Sequence, residues 1–462
     1  MTKFASTDDP GFVAICGELR RWTKAAVVVT PPHALPDRSR REPQGAGEQE
    51  PQAKAGKAFR IRGVPRDWDA EKLQSFLRKE EFRPQDGSAG PTVWSLADEV
   101  GGRSGVGTVT FQRVPPASQT GGKWTIPLPP SSAATQPSRS SRQLRLTLDD
   151  DFHGITTLYS PPSEDHKLDI LAISGLGGHA FGSFKQRGGE HMWLRDALPY
   201  DLTLEGNDRP IARVMTYGYN SSIPQSNSMQ NLEDLAASFH SSLLALAGTY
   251  IKPILVIAHS LGGLIIKQAL ISLSRSESRD DQLLLGAVYG VVFFGVPHDG
   301  VDISSLIPMV GDQPNRFLVE SIGHINSQIL STQRREFHAA LGGKGDSEVF
   351  CFYETLQSLT AQQDEHGHWA MSGPPAFLVT KTSATHCRPW EDGTEHMCPI
   401  SRSHSEMVKF GEHDAEYDKV VQRLARLAGR AIKRGVRGSN TDLSVGSMAT
   451  QDRNGGSSTL CK

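Results

Sequence analysis

The segment 253–266 reads PILVIAHSLGGLII and places Ser260 between an apolar run typical of a buried strand and one typical of a helix. A nucleophile exposed on such a strand–turn–helix turn requires small residues two positions before and two positions after it. Ala258 and Gly262 fill these positions, so the common G-x-S-x-G pattern is A-x-S-x-G in this chain. The helix would direct its positive N-terminal end and the Leu261 backbone N–H at the space above Ser260. The pattern predicts a serine nucleophile for acyl transfer, with an oxyanion forming in that space.

A second donor to the oxyanion would come from the loop after an earlier strand. The run SGLGG at 174–178 follows the apolar segment LDILAI, with Gly175 allowing the tight turn and Leu176 offering a backbone N–H. A glycine-rich turn of this kind could also serve only to reverse the chain or to hold a phosphate. The run lacks both the G-x-G-x-x-G spacing and the Lys-Ser/Thr of a phosphate loop, which disfavours the phosphate.

The acid that assists such a serine follows it in the chain and ends the penultimate strand of the sheet. Glu354 ends the strand-like segment EVFCFYE and is the preferred candidate. Asp364, in the polar loop that follows, and Asp299, after FFGVPH, compete with it. Because geometry decides the role, the sequence leaves these alternatives open.

The histidine that would act as the base is expected in the loop after the last strand. His404, in SRSHSEMVKF, follows the predicted strand AFLVTK and precedes the final helix. It fits this position better than the other histidines of the region, which are His298, His386, His396 and His413. His404 would take the proton of Ser260 and return it to the leaving alcohol, while Glu354 fixes the tautomer of the imidazole.

Apolar strand-like segments alternate with amphipathic helix-like segments from about residue 144 to 434. The predicted strands are LDILAIS, ARVMTYGY, PILVIA, AVYGVVFFGV, EVFCFYE and AFLVTK, and the predicted helices include LEDLAASFHSSLLALA and LGGLIIKQALISLS. Strands that are apolar on both faces belong to a parallel sheet covered by helices on both sides. The sequence therefore predicts an α/β fold, of the doubly covered α/β-hydrolase type, for residues 144–434.

The flanks differ in composition from this segment. Residues 1–57 and 115–143 are rich in Pro, Gly, Ser, Gln and charge, and 435–462 is polar. Residues 1–57 are therefore predicted to be mostly disordered, 115–143 to be a linker in which WTIPLP could supply a last edge strand, and 435–462 to be a disordered tail. Between them, 58–114, possibly reaching 128, reads strand–helix–strand–strand, with Asp69 as a helix N-cap. This order predicts a small N-terminal α+β domain of ferredoxin-like type.

The composition of the 462-residue chain narrows the compartment and the partners. Its 49 basic and 51 acidic residues give a net charge of −2, which creates no overall field for nucleic acid or an anionic bilayer. Five scattered cysteines argue against a disulfide framework. The first residues lack the apolar core of a signal peptide, and the most apolar stretch, 283–296, is too short to span a bilayer. These features predict an intracellular protein that is not secreted.

Seven blocks between about Phe152 and Phe410 resemble the lipase-like serine esterases related to the serine-active-site-containing protein, including the hydrolase modules of many fungal proteins. The blocks, in the order of the family, are LDILAISGLGGHAFGSFK, HMWLRDALP, ARVMTYGY, IAHSLGGLIIKQAL, FFGVPHDG, FYE and SHSEMVKF. The resemblance implies acyl-ester hydrolysis with Ser260, Glu354 and His404, lipid substrates, and membranes of mitochondria or the endoplasmic reticulum. Ser174 stands where the family has a histidine, so a side-chain contact in the oxyanion loop is lost.

The small N-terminal unit resembles an RNA-recognition fold, in which aromatic side chains of the sheet stack on bases. The corresponding positions here carry Arg60, Val106 and Thr108. Since stacking supplies much of the affinity for single strands, no nucleic-acid partner is expected, and RNA binding is the third-ranked function. Docking of a protein partner is the preferred role for this unit.

Three further patterns have plain alternatives. His386, Cys387, His396 and Cys398 match no zinc-ligand spacing, so no metal is predicted. Residues 299–347 contain apolar stretches that fit a lid or an ordinary pair of connecting helices. A final basic helix would permit peripheral membrane contact through Arg426, Arg430, Lys433, Arg434 and Arg437.

The sequence thus predicts a serine hydrolase that cleaves carboxylic esters, of acyl lipids in particular, without a cofactor. The alternative is a catalytically degenerate hydrolase fold that serves as a scaffold or signalling module.

Overall fold

The structure is a computed structural model. It describes residues 56–80, 90–111, 123–129, 144–204, 207–223, 226–247, 251–304, 306–325, 327–343, 346–365, 368–391 and 393–448. The predictions of disorder for 1–55 and 449–462 and of a linker for most of 115–143 lie outside these residues.

A small antiparallel sheet comes first in the chain. Its elements are β1 (Lys57–Val64), α1 (Ala70–Glu80), β2 (Thr92–Asp98), β3 (Gly105–Phe111), β4 (Trp124–Pro127) and β5 (Arg145–Asp149). The strands lie in the order β2-β3-β1-β5-β4. The first four elements follow the predicted strand–helix–strand–strand order. Strand β5, which the sequence analysis assigned to the large segment, pairs instead with β1, and the ferredoxin-like type stays a prediction.

One face of the small sheet packs against the large domain. Arg60 is 1% exposed and donates to both oxygens of Asp149 and to Thr156 Oγ1 on the first strand of the large sheet. Val106 and Thr108 are also buried. The three positions at which an RNA-recognition fold would stack bases therefore lie inside this structure.

The large sheet has seven strands. They are β6 (Gly154–Tyr159), β7 (Leu168–Ile173), β10 (Ala212–Gly218), β11 (Ile254–His259), β12 (Val288–Phe294), β13 (Glu348–Glu354) and β18 (Met397–Ile400), while β8 (Thr203–Leu204) and β9 (Asn207–Pro210) form a separate ribbon. The order is β18-β13-β12-β11-β7-β10-β6, and every pair is parallel except β10 with the edge strand β6. This mostly parallel sheet confirms an α/β fold.

Helices cover both faces of the large sheet. They are α2 (Trp193–Asp196), α3 (Leu198–Asp201), α4 (Leu232–Leu243), α5 (Leu261–Arg275), α6 (Arg279–Ala287), α7 (Ile307–Val310), α8 (Arg316–Ser321), α9 (Gln328–Ala340), α10 (Lys381–Thr385) and α11 (Ala415–Met448). Apolar residues of α4, α5 and α9 form one core cluster, and those of α2, α3 and α11 form another on the opposite face. Strands β7, β11 and β12 are buried along their whole length, which explains their continuous apolar sequences.

The last strand of the sheet differs from the prediction. Only the first residue of AFLVTK belongs to a strand: a short hairpin of β14 (Ser358–Leu359), β15 (Gln362–Gln363), β16 (Trp369–Ala370) and β17 (Pro375–Ala376) ends there. The strand on the outer side of β13, at the edge of the sheet, is β18, which contains Pro399. An edge strand tolerates a proline and needs fewer apolar residues, so its sequence carries a weaker signal.

Helix α11 continues through Met448, beyond the boundary predicted at residue 434. Once a helix is nucleated, each added residue gains one hydrogen bond, so a polar sequence can extend it. In the described part of the chain, no helix is both long enough and apolar enough to cross a membrane.

Candidate active site

Ser260 lies at the sharp turn between β11 and α5. Its backbone has φ 53° and ψ −128°, a conformation that non-glycine residues rarely adopt and that is typical of strained functional positions. The Ser260 N–H donates to the carbonyl of Phe294 at 3.0 Å, and its own carbonyl accepts the N–H of Gly263 at 2.9 Å. These bonds hold the strained residue between the sheet and the first turn of the helix.

Two glycines make room for this turn. A Cβ on Gly175 would lie 2.6 Å from the Cβ of Ser260, and a Cβ on Gly262 would lie 2.6 Å from the carbonyl oxygen of Ser174. Both distances are far below contact distance, so the loop after β7 and the start of α5 approach each other only because neither residue has a side chain. Close packing of the backbone around Ser260 is therefore the reason why small residues are required there.

Three side chains predicted from the sequence come together at this turn. His404 Nε2 is 3.0 Å from Ser260 Oγ, and His404 Nδ1 is 2.5 Å from Glu354 Oε2. Glu354 is 4% exposed and His404 is 8% exposed, whereas Ser260 is only half-buried. The arrangement is a continuous hydrogen-bonded chain from the buried carboxylate of Glu354 to the half-buried hydroxyl of Ser260, at the carboxyl end of β11.

The carboxylate of Glu354 has further partners in the segment that replaces the predicted strand. Its Oε1 accepts the backbone N–H groups of Leu378 and Val379 at 2.9 and 3.2 Å. These two bonds hold Oε1 in place, while Oε2 faces His404 Nδ1. The return of the β14–β17 hairpin to the sheet is thus what fixes Glu354 towards His404.

The two predicted backbone donors flank Ser260. Leu261 is the first residue of α5, and the N–H groups at the start of a helix have no partner within it. Leu176 follows Gly175 in the loop after β7, where Gly177 N–H donates to the carbonyl of Ser221 at 2.6 Å and pins the loop. Binding of an oxyanion by these two N–H groups stays a prediction.

The competing acids have other partners. Asp299 is ion-paired with Arg334 at 2.8 Å, and Asp364 lies on the hairpin, where it accepts the backbone N–H of His368.

The competing histidines also lie elsewhere. His298 is fully buried, with its Nδ1 3.3 Å from Lys267 Nζ. His386 and His413 are exposed, and His396 lines a groove with residues of α11.

Three residues around His404 were missed by the sequence analysis. His259, directly before Ser260, contacts the ring and carbonyl of His404. Gly295 has φ +53°, and a Cβ there would lie 3.0 Å from His404 Nδ1. Ser358 accepts the backbone N–H of His404 at 3.2 Å. A histidine inside an apolar strand and a glycine at a strand end were available signals, but Ser358 lies in a hairpin that the sequence did not predict.

The segment with His386, Cys387, His396 and Cys398 was the candidate for a zinc site in the sequence. Among the described residues, no group of three or more His, Cys, Asp or Glu side chains is placed to hold a metal ion. Cys387 is buried next to Cys351, whereas Cys398 lies in β18.

The basic residues of α11 are partly engaged. Arg430 pairs with both oxygens of Glu348, Arg434 lies over the ring of Tyr289, and Arg426 lines the adjacent groove. Membrane contact through this helix stays a prediction. In the region of the predicted lid, 299–347, the described residues form α7, α8 and α9, and the lid role is also untested.

No protein-family model matches the chain. It is similar to Protein SERAC1 of Mus musculus, with 28% identity over 150 residues that make up 30% of this chain and 23% of that protein. Protein SERAC1 of Homo sapiens matches over the same shares with 27% identity. The chain therefore spans about a quarter of the length of these relatives.

Solved structures of two hydrolases also align with the chain. The mature lipase BlEst2 of Bacillus licheniformis has 12% identity and a TM-score of 0.32, over 55% of this chain and 92% of that chain. The type II thioesterase YbtT of the Yersiniabactin pathway has 14% identity and a TM-score of 0.31, over 61% of this chain and 100% of that chain. These TM-scores are too low to establish a shared fold.

Proposed function

We propose that this protein is a serine hydrolase that cleaves carboxylic esters through an acyl-enzyme on Ser260. The observation that carries the proposal is the hydrogen-bonded chain from Ser260 Oγ through His404 to Glu354, with distances of 3.0 and 2.5 Å. A serine is activated by an adjacent base whose second nitrogen is held by a carboxylate. The strained backbone of Ser260 supports the same role, because strain of this kind clusters at active sites.

The reaction follows from these contacts. His404 Nε2 accepts the proton of Ser260 Oγ as the oxygen bonds to the carbonyl carbon of the ester. The imidazolium then gives this proton to the leaving alcohol, and the acyl group stays on Ser260. Water, deprotonated by His404, attacks the acyl carbon. The bond from that carbon to Ser260 Oγ then breaks, His404 returns the proton to Oγ, and the carboxylic acid leaves. Glu354 keeps the Nδ1 proton on His404 and stabilises the imidazolium between the two steps.

The tetrahedral intermediates carry a negative oxygen, which the N–H groups of Leu261 and Leu176 would bind. The N-terminal end of α5 adds its positive dipole at the same point. Because both donors are backbone groups, Ser174 in place of a histidine leaves them intact. The α/β fold with this strand–turn–helix turn supports assignment to the α/β-hydrolase type.

The loops around Ser260 support an apolar acyl group in the substrate. The segments that follow β10, β12 and β13, strands that end at the sheet edge where Ser260 lies, carry four large exposed apolar side chains, which are Met229, Phe317, Ile325 and Phe377. Exposed apolar side chains on these segments are available for contact with an apolar ligand. We therefore propose esters of acyl lipids as the substrate class, handled at an intracellular membrane.

Labelling with a fluorophosphonate probe tests the nucleophile. Wild type and Ser272→Ala, which removes an exposed hydroxyl on α5, are expected to react, and Ser260→Ala is expected not to. Turnover of p-nitrophenyl acetate against the palmitate then measures the preference for acyl length. If the folded wild type neither reacts with the probe nor hydrolyses either ester, the hydrolase proposal is wrong and a scaffold role is favoured.

A further inference from the structure

His259 lies between the elements of the proposed active site but performs none of its proton transfers. It is the last residue of β11, pairs in the sheet with Phe294 of β12, and is 7% exposed. The rest of β11 is apolar, so a polar ring at its end must have a partner or leave a buried group unpaired.

The partner is the backbone of His404. His259 Nε2 lies 2.9 Å from the carbonyl oxygen of His404, and because that oxygen only accepts, His259 carries a proton on Nε2 and donates it. The two rings also touch, with centroids 4.9 Å apart and planes inclined by 39°. A single side chain therefore holds both the main chain and the imidazole of His404.

The backbone at Gly295 also approaches the His404 ring closely. A Cβ on Gly295 would lie 3.0 Å from Nδ1 and 3.1 Å from Cε1 of that ring. The imidazole thus lies close to both the His259 ring and the backbone of Gly295. Since Ser260 is the next residue after His259, the same strand end sets the position of the serine and of the loop that carries its base.

We propose that His259 is a positioning residue, which fixes His404 against Ser260 through its Nε2–H bond to the His404 carbonyl. This inference rests on the proposed function. A shift of about 1 Å between reacting groups can cost on the order of 100-fold in rate, so one hydrogen bond at this place has a large effect on turnover.

A histidine suits this position because it donates without bearing charge. Burial, and then the nearby His404, lower the pKa of His259 to about 3, and Lys409 acts in the same direction. The ring is therefore neutral at neutral pH and does not repel the imidazolium that forms on His404 during each turnover. A lysine or arginine donor at the same place would oppose that charge.

Two substitutions of nearly equal size separate hydrogen bonding from packing. His259→Gln keeps an N–H donor, and His259→Met does not. For a short-chain p-nitrophenyl ester, we expect Met to lower kcat roughly 10- to 100-fold with KM changed less than about twofold, and Gln to stay within about fivefold of wild type. Equal losses for Gln and Met, or a Met variant with wild-type kcat, would overturn the proposal. If Met does not fold, His259→Phe replaces it.

A second measurement does not depend on turnover. The proton between His404 Nδ1 and Glu354 should give a downfield resonance in the proton NMR spectrum, identified by its loss in Glu354→Gln. We expect this resonance to be retained in His259→Gln and to shift or broaden in His259→Met. An inactive wild type would contradict the proposed function, whereas an unchanged resonance in the Met variant would contradict the positioning role.

Discussion

Helix α5 touches two clusters of polar side chains that resemble each other in composition. We call them the open cluster, at the proposed active site, and the closed cluster, at Lys267. At the N-terminus of α5, Ser260 meets His404 and Glu354. Two turns further along, Lys267 meets His298, whose ring is 3.3 Å from the lysine nitrogen. Both clusters contain a histidine. The first joins the start of α5 to the end of β13 and to the loop after β18, and the second joins α5 to the segment after β12.

The clusters differ in access and in charge. Ser260 is half-buried, and His404 has a carboxylate on one side and a hydroxyl on the other. Lys267 and His298 are 1% and 0% exposed, and burial lowers the pKa of both groups. A buried histidine is therefore not in itself a sign of catalysis. The proposed active site differs in that its histidine lies between a carboxylate and a hydroxyl and in that the hydroxyl is partly exposed. No substrate can reach the buried Lys267 and His298.

The largest expected effect comes from removing the charge in the open cluster. Glu354→Gln keeps the shape but removes the carboxylate that holds the Nδ1 proton, so kcat should fall by roughly 10⁴-fold. Steady-state hydrolysis of a soluble p-nitrophenyl ester measures the change. Asp364→Asn, on the exposed hairpin, is the matched control and should leave kcat unchanged. A full loss in the control with a retained rate in Glu354→Gln would reassign the acid.

The next largest effect is expected at the backbone that supports His404. Gly295→Ala adds a Cβ within about 3 Å of the imidazole at a residue with φ +53°, so the ring must move and kcat should fall roughly 100-fold. Gly429→Ala, in α11, meets no atom within 4 Å and should leave activity intact. A wild-type rate for Gly295→Ala would show that the close approach of Gly295 to the His404 ring is not required for activity.

The closed cluster should affect stability rather than turnover. Lys267→Met is expected to keep kcat within about threefold of wild type. Because burial lowers the pKa of Lys267 in the folded state, the unfolded chain binds more protons below pH 10.5 and wild type gains stability as pH rises towards that value. Denaturation in urea at pH 7 and pH 9 should show this gain in wild type and its absence in Lys267→Met. An equal gain in both proteins would contradict it.

The same contrast explains what the sequence could predict. The Ser260 turn is a local feature, set by an apolar strand, an apolar helix and small residues at fixed spacing, so fourteen consecutive residues contain its signal. Glu354 and His404 depended on chain order alone. The predicted last strand, AFLVTK, is not the last strand of the sheet. The order still led to both residues, because His404 also follows β18, which is the last strand.

The contacts that hold His404 could not be predicted in this way. His259 and His404 are 145 residues apart in the chain, and Ser358 reaches the histidine from a hairpin with two-residue strands. Neither pairing leaves a periodic pattern, since each is a single contact between distant segments. The small sheet shows the same limit: the Arg60 pair with Asp149 links β1 to a strand that composition assigned to the other domain.

The smallest expected effect is the pH-dependent stability that arises from the lowered pKa of His259. Its folded-state pKa of about 3 lies below the unfolded value of 6.5, so the unfolded state takes up a proton first as pH falls, and stability is lost between pH 6.5 and about 3. His259→Gln cannot titrate and should lose about 1 to 2 kcal/mol less than wild type between pH 7 and pH 5. Urea denaturation at the two pH values measures this. Since His298 and Lys267 are unchanged in the variant, their contributions cancel, and equal losses would mean that the His259 ring is not held neutral by burial.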